Sequence, residues 1–260
     1  MKALLYDQKI WITGASSGIG RALALEAARG GAHLLLSGRH AGNLEVTRRQ
    51  CVRPEFVHCL PCDLSDTDAI PGLFEQALTR LGGLDKLIAN AGIGQWGTVM
   101  DTEDAVEHRL FQVNFEANRR LLKLYAHYCQ ANRRSGHFVG VGSIAAKFGQ
   151  PQLAAYSASK AAFTLYLESA WREFQGSDFT VQLVHPGMVQ TEIMRHSLGP
   201  DGRPHTPQKT HRGMDPERFA KRFFNALNSR RFEHQIGGTE LLAVPLHALF
   251  PRLFYRLLGR

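Results

Sequence analysis

The chain has 260 residues, of which 44% are apolar, with four cysteines and a formal net charge of +8. That length and apolar content suit one compact domain with a sizeable core, and four cysteines do not make a secreted disulfide framework. No apolar run approaches the ~20 residues a spanning helix needs, and the basic charge lacks the aromatic interleaving of a nucleic-acid groove, so no nucleic-acid partner is expected.

The first strand is expected at 10–13, so close to Met1 that no signal peptide is foreseen and a cytoplasmic location is expected. It runs straight into Gly14, Gly18 and Gly20 of TGASSGIG, and a periodic helical stretch follows over 18–29. Strand, glycine turn and helix in that order suit a dinucleotide. Glycine lets the backbone approach a pyrophosphate, and the helix N-terminus offers free N–H groups and a positive dipole. Further strands are expected at 33–37, 55–60, 86–90, 137–141 and 179–184, and helices near 41–50, 66–81, 101–132 and 154–175. This alternation predicts an α/β fold, a single Rossmann-like doubly wound parallel sheet with helices on both faces, spanning 1–260 as one domain. Cys59 and Cys62 spell C-x-x-C but fall on a strand, where residues three apart stand roughly 10 Å apart, so they read as packing rather than a redox pair or metal site.

The stretch YSASK sets Tyr156 and Lys160 four residues apart, on one helix face. An ammonium beside a phenol favours the phenolate and is expected to lower the Tyr156 pKa toward the range where proton transfer is useful. Ser143 lies thirteen positions upstream of Tyr156.

Taken together these motifs resemble the short-chain dehydrogenase/reductase family. TGASSGIG resembles its cofactor turn, which implies contacts from Gly14, Ser16, Ser17, Gly18, Ile19 and Gly20. Asp63, with Leu64 beside it, resembles the acidic residue that touches the adenine. Asn90-Ala91-Gly92 resembles the motif after the fourth strand, and Asn114 the helix asparagine. Pro186-Gly187, with Val189 and Thr191, resembles the segment along the nicotinamide. The resemblance implies that Tyr156 exchanges the proton, Lys160 lowers its pKa and binds the nicotinamide ribose, and Ser143 polarises the carbonyl. It implies that Asn114 holds a water linking Lys160 to solvent, and that Asn90 closes the turn. The Tyr-x-x-x-Lys gap differs from the Tyr-x6-Lys of related enoyl reductases. The chain also lacks room for the extra substrate domain of the related epimerases.

The second strand ends in LLLSGRH, without the acidic residue that would bind the adenosine ribose and select NAD. Arg39 stands where the family places a base for the 2′-phosphate, so NADP(H) is expected, with NAD(H) as the alternative. Ser17 replaces the second basic residue of many NADP-preferring relatives. The expected reaction is NADPH-dependent reduction of a ketone or aldehyde to an alcohol, with a lipid-like 3-keto compound as one substrate class. The alternatives are an NAD-dependent alcohol dehydrogenase working oxidatively and a non-catalytic NADPH-binding membrane-associated sensor. The resemblance also implies a homodimer or homotetramer built through the long helices.

Residues 188–215 carry several Gly and Pro positions and read as a substrate lid, in which His196, His205 and His211 are solvated loop residues. The segment 245–260 reads as a basic amphipathic tail. Leu246, Leu249, Phe250, Leu253, Phe254, Leu257 and Leu258 follow helical spacing, with Arg252, Arg256 and Arg260 on another face and Pro251 starting or kinking the helix. Such a helix makes peripheral contact with a membrane, or packs on its own domain or a subunit partner with its arginines in water; the first would favour the lipid-like substrate.

Overall fold

The computed structural model describes residues 5–191, 197–205 and 213–258. Its centre is a sheet built from β1 (Lys9–Thr13), β2 (His33–Gly38), β3 (Val57–Pro61), β4 (Lys86–Ala89), β5 (Gly136–Val141), β6 (Phe179–Pro186) and a further strand at Glu233–Ile236. The order is β3-β2-β1-β4-β5-β6 and then Glu233–Ile236, every pair parallel. The strand order reverses between β1 and β4, so a crevice opens at their C-terminal ends.

Side chains of a strand alternate between faces. Ile10 and Ile12 of β1 therefore join Leu34 and Leu36 of β2 in one core, under α1 (Gly18–Arg29), whereas Trp11 joins Leu35, Leu87 and Phe138 in the other. The first core is closed by Phe219 and Phe223 of a helix at Pro216–Ala226. The second lies under helices at Ile70–Leu81, Ala117–Ala131 and Ala154–Glu173. In chain order the helices after α1 are α2 (Ala41–Gln50), α3 (Ile70–Leu81), α4 (Asp104–Phe111), α5 (Ala117–Ala131), α6 (Ala154–Glu173), α7 (Pro216–Ala226), α8 (Ala243–Leu249) and α9 (Pro251–Leu258). The remaining strands are β7 (Ser197–Leu198) and β8 (Pro204–His205), an antiparallel pair, and β9 (Glu233–Ile236).

Four expectations change. The helix over 101–132 is interrupted by a π-turn at Gln112–Glu116 that carries Asn114, the kind of local irregularity that gathers at functional sites. The strand at 55–60 starts later, because Pro54–Phe56 forms a 3-10 turn led by Arg53 at φ 58. Helix 66–81 begins only at Ile70; Asp66 first binds the Ala69 amide at 3.2 Å. The tail is two helices rather than one, broken at Phe250, where φ −135 and ψ 61 leave the helical region ahead of Pro251. A closing strand absent from the sequence reading, β9, precedes the tail and pairs with β6.

His196, His211 and Arg260 lie outside the described residues, as do part of the 188–215 lid and the side chain of Leu258. No helix among the described residues is long and apolar enough to cross a membrane. All four cysteines are free, and burial pushes the thiols of Cys51, Cys62 and Cys129 up to about 11. Burial raises that of Cys59 as well.

Candidate active site

Two backbone locks set the floor of the crevice. The Thr13 hydroxyl accepts hydrogen bonds from the amides of Asn90 (3.0 Å) and Ala91 (2.9 Å), and the Asn90 side chain donates to the Thr13 carbonyl (2.9 Å). Asn90 thus ties β4 to the end of β1 and fixes where the glycine turn leaves the sheet. Gly14 and Gly18 sit at φ 67 and φ 52, a region that resists side chains. α1 starts at Gly18, and no side chain caps its first N–H groups. Those donors and the helix dipole face the crevice, and Ile19 anchors the turn of helix to the core.

The adenosine end is framed from β2 and β3. A Cβ built on Gly38 would lie 3.3 Å from the Ser16 hydroxyl, so the neighbouring, exposed Arg39 stands beside the turn. Asp63 accepts from the Ser65 amide (2.9 Å) and hydroxyl (2.8 Å). Burial acts to raise its carboxyl, but the Ser65 hydrogen bonds, with Arg39 and Arg109, hold it below the usual range. Leu64 is buried beneath it.

On the nicotinamide side, Pro186 ends β6 and Gly187 donates to the Ile236 carbonyl at 2.9 Å. Val189 forms a parallel bridge with Met214, and a Cβ on Gly18 would come within 3.1 Å of the Thr191 Cβ. The segment after Pro186 thus reaches across the crevice to the start of α1.

Ser143, Tyr156 and Lys160 meet where β5 ends. The Ser143 hydroxyl accepts from the Ala145 amide at 3.1 Å and lies close enough to the Tyr156 phenol to act on its pKa. The Lys160 ammonium is buried, donates to the Val141 carbonyl at 3.1 Å, and lies 3.1 Å from where a Cβ on Gly92 would stand. The same point is 3.1 Å from Asn114 Oδ1. Asn114 accepts from the Ile93 amide (2.8 Å) and donates to the Ile93 carbonyl and the Ser159 hydroxyl, each at 3.0 Å. Its amide, expected to hold a water, therefore braces Ile93.

The electrostatics correct one expectation. Burial raises the Tyr156 phenol, and the Ser143 hydrogen bond only partly opposes it. Lys160 is itself pushed down to about 8 by burial. Desolvation, and not the charge pairing read from the sequence, sets both directions.

Several residues that shape the site gave no motif. His185 lies under Ser143, fully buried. The Glu240 carboxylate accepts from the Met188 amide at 2.8 Å and the Gly238 amide at 2.9 Å. Ile93, Val106, Ala155 and Leu198 form an apolar wall against Tyr156, and His205 stacks on Trp96 at 6.3 Å. Position immediately before Pro186-Gly187 was the one available signal for His185; the others are long-range contacts.

The family model described as short chain dehydrogenase matches residues 8–200, a span that holds the turn, the β5 end and the Tyr-Lys pair. The chain belongs to the short-chain dehydrogenase/reductase family. Across its full length it is 32% identical to the dehydrogenase/reductase SDR family member 7B of Bos taurus, covering 82% of that protein. A Drosophila melanogaster SDR family protein 7-like is 29% identical over 96% of the chain and 79% of the relative. Among solved short-chain dehydrogenases, one from Burkholderia phymatum, in complex with NAD, superposes with a TM-score of 0.83 at 23% identity, covering 96% of this chain and 95% of the other. A metagenomic short-chain oxidoreductase in complex with NADP gives a TM-score of 0.72 at 27% identity, over 89% and 98% of the two chains.

As a short-chain dehydrogenase/reductase the protein is an NAD(P)-dependent oxidoreductase, and its crevice fits that cofactor. The uncapped α1 N-terminus suits a pyrophosphate, and the side-chain-free turn allows the approach.

Proposed function

We propose that the protein is an NADPH-dependent carbonyl reductase that converts a ketone or aldehyde to an alcohol. The observation that carries this reading is that the Ser143 hydroxyl stands beside the Tyr156 phenol at the end of β5, where the buried Lys160 ammonium donates to the Val141 carbonyl next to Gly92. A bound nicotinamide supplies the hydride. The Ser143 hydroxyl donates to the substrate carbonyl oxygen and polarises it. Tyr156 gives up its proton to that oxygen as negative charge develops; its raised pKa keeps the proton in place until then. Lys160 puts positive charge behind the phenol and is the group to bind the nicotinamide ribose. Asn114 holds the Gly92–Ile93 edge beside that ammonium, where a solvent link would return the proton.

NADP(H) is the proposed cofactor because Arg39 stands beside Ser16 with no acidic residue at the β2 end. The structural relative solved with NADP supports it; the one solved with NAD keeps NAD(H) as the alternative. The wall of Ile93, Val106, Ala155 and Leu198 beside Tyr156 favours an apolar, lipid-like carbonyl compound. Association as a homodimer or homotetramer is part of the proposal and is supported by exposed Leu165 on α6 and Phe111 on α4. A cytoplasmic location, with peripheral membrane contact through the tail, is part of it too; four free thiols suit a reducing compartment.

The test is the rate of NADPH oxidation with ketones graded by chain length, for the native protein and Tyr156→Phe. Turnover that rises with chain length and drops by about a hundredfold or more in the variant is expected. Equal turnover in both proteins would remove Tyr156 from the chemistry. Binding of NADPH without turnover of any ketone would leave a sensor.

A further inference from the structure

We infer that the face of the tail formed by Leu249, Phe250, Leu253 and Leu257 is a docking surface for an anionic lipid bilayer. This deepens the peripheral contact included in the proposed function and does not depend on the chemistry assigned to Tyr156.

Among the described residues, Phe254 and His247 hold the tail to Phe148 of the body. Phe254 is 1% exposed, with its ring 4.8 Å from Phe148 and 5.0 Å from His247. His247 on α8 contacts the Tyr255 hydroxyl at 3.1 Å, which pins the two short helices to each other. Four other apolar residues are open to solvent: Leu249, Phe250, Leu253 and Leu257 are each between 47% and 71% exposed, whereas the half-exposed Tyr255 faces a groove of the domain. Packing on the chain's own core therefore accounts for Phe254 and Tyr255 and not for these four. Single exposed apolar residues need no explanation, but four within nine positions form a patch.

Charge selects the occupant. Residues 241–260 contain Arg252, Arg256 and Arg260 and no Asp or Glu. Leu253 and Leu257 share one helix face, and the exposed Arg252 and Arg256 occupy the adjoining one. Leucines in the acyl boundary with arginines reaching back to headgroup phosphates is the arrangement of an interfacial helix. A second copy of this chain would bring the same arginines and a formal charge of +8 against it, whereas an anionic surface attracts both.

The place in the fold gives the contact a use. Phe148, on which Phe254 rests, lies five residues beyond Ser143. Tyr255 lines an open groove of about 610 Å³ with Ala145, Phe148, Pro151 and Ser157. A bilayer seated on the tail lies next to the catalytic end of α6.

The experiment is sedimentation of the full chain with phosphatidylcholine vesicles, with and without about 30% phosphatidylserine, at low and high salt. Leu253→Glu/Leu257→Glu and Arg252→Gln/Arg256→Gln are the variants, with thermal melts to check folding. Binding only to the anionic vesicles, weakened by salt, is expected. The arginine pair is expected to lower the partition coefficient by about thirtyfold and the leucine pair to abolish binding. Leu257→Trp should show blue-shifted emission on the anionic vesicles and none without them. No binding to anionic vesicles, or binding that both double variants retain, overturns the proposal. So does a concentration-dependent dimer that Leu253→Glu/Leu257→Glu dissociates, since the face would then belong to a second copy.

Discussion

His185 Nδ1 lies 2.8 Å from the Ser143 carbonyl oxygen and 3.1 Å from its amide nitrogen, so the ring bonds the Ser143 backbone in either tautomer, donating to the carbonyl when Nδ1 carries the proton and accepting from the amide when it does not. The ring is fully buried, and its Nε2 has no hydrogen-bond partner among the described residues. The nearest charge is the Glu233 carboxylate at 3.8 Å, which is paired with Lys147 at 2.8 Å. His185 is therefore a positioning residue for the Ser143 hydroxyl. His185→Ala is expected to lower kcat by about tenfold to a hundredfold with little change in KM, and His185→Asn to recover part of the loss. A rise in KM alone, with kcat intact, would show that the imidazole does not set the hydroxyl.

The same burial makes stability depend on acid. Burial, with the neighbouring Lys86, pushes His137 down to about 3, and burial pushes His185 down to about 4. His137 is fixed as the neutral ring because its Nδ1 receives the Lys86 ammonium at 2.6 Å while Nε2 faces the Gln182 carbonyl oxygen at 2.8 Å. As pH falls from about 6.5, the unfolded chain binds protons at these positions and the folded chain does not, so stability drops. The decline should begin above pH 5, ahead of any loss of charge at Glu233, whose carboxyl burial acts to raise but the Lys147 and Gln235 hydrogen bonds hold below the usual range. Melting temperature against pH, for native protein and His137→Gln, checks it. A native curve that stays flat between pH 6.5 and 5 would contradict the buried neutral rings.

Under the proposed mechanism, Lys160 is expected to set the alkaline side of activity. Burial lowers it to about 8, so the ammonium is present below that pH and lost above it. The reduction rate, as kcat/KM, is expected to fall as pH rises through about 8. Lys160→Met should be slow at every pH and should lack this limb. If the limb persists in the variant, another group titrates there.

The proposed preference for NADP(H) rests on Arg39. It is exposed and stands one residue past Gly38, against the Ser16 turn, where it would meet a 2′-phosphate from the solvent side. Arg39→Ala is expected to raise KM for NADPH by about tenfold or more and to leave KM for NADH nearly unchanged. Equal effects on both cofactors would place Arg39 on the pyrophosphate or outside the site.

What the sequence disclosed follows from the range of the interactions. The turn residues, the Tyr156–Lys160 pair and the strand-helix rhythm are local patterns, and each keeps its spacing in the fold. The sign of the Tyr156 shift was not legible, because it depends on desolvation by elements far along the chain. Asn114 was found as a helix residue, but its π-turn was not, since that turn depends on bonds to Ile93 and Ser159 across the fold. β9 was missed because EHQI is short and polar; it pairs with β6 across nearly fifty intervening residues. The tail's spacing was visible, yet the division between inward Phe254 and its outward neighbours required the position of Phe148.

Glu240 shows the same long reach and yields the last prediction. Its Oε1 accepts from the Met188 and Gly238 amides, and a Cβ on Gly187 would overlap that oxygen. Burial acts to raise its carboxyl, but backbone N–H groups hold it below the usual range. The carboxylate thus fastens the start of the tail to the segment that follows Pro186. Glu240→Gln keeps an oxygen acceptor and should cost little, whereas Glu240→Ala frees the Met188 amide and lets Gly187–Met188 move. Glu240→Ala is expected to raise cofactor KM by several-fold, with a smaller fall in kcat. Gly187→Ala should reproduce that pattern by displacing the same oxygen. Cofactor titration and steady-state kinetics on the three variants decide it. Loss of kcat without any change in cofactor KM would mean that Glu240 acts on the catalytic groups instead.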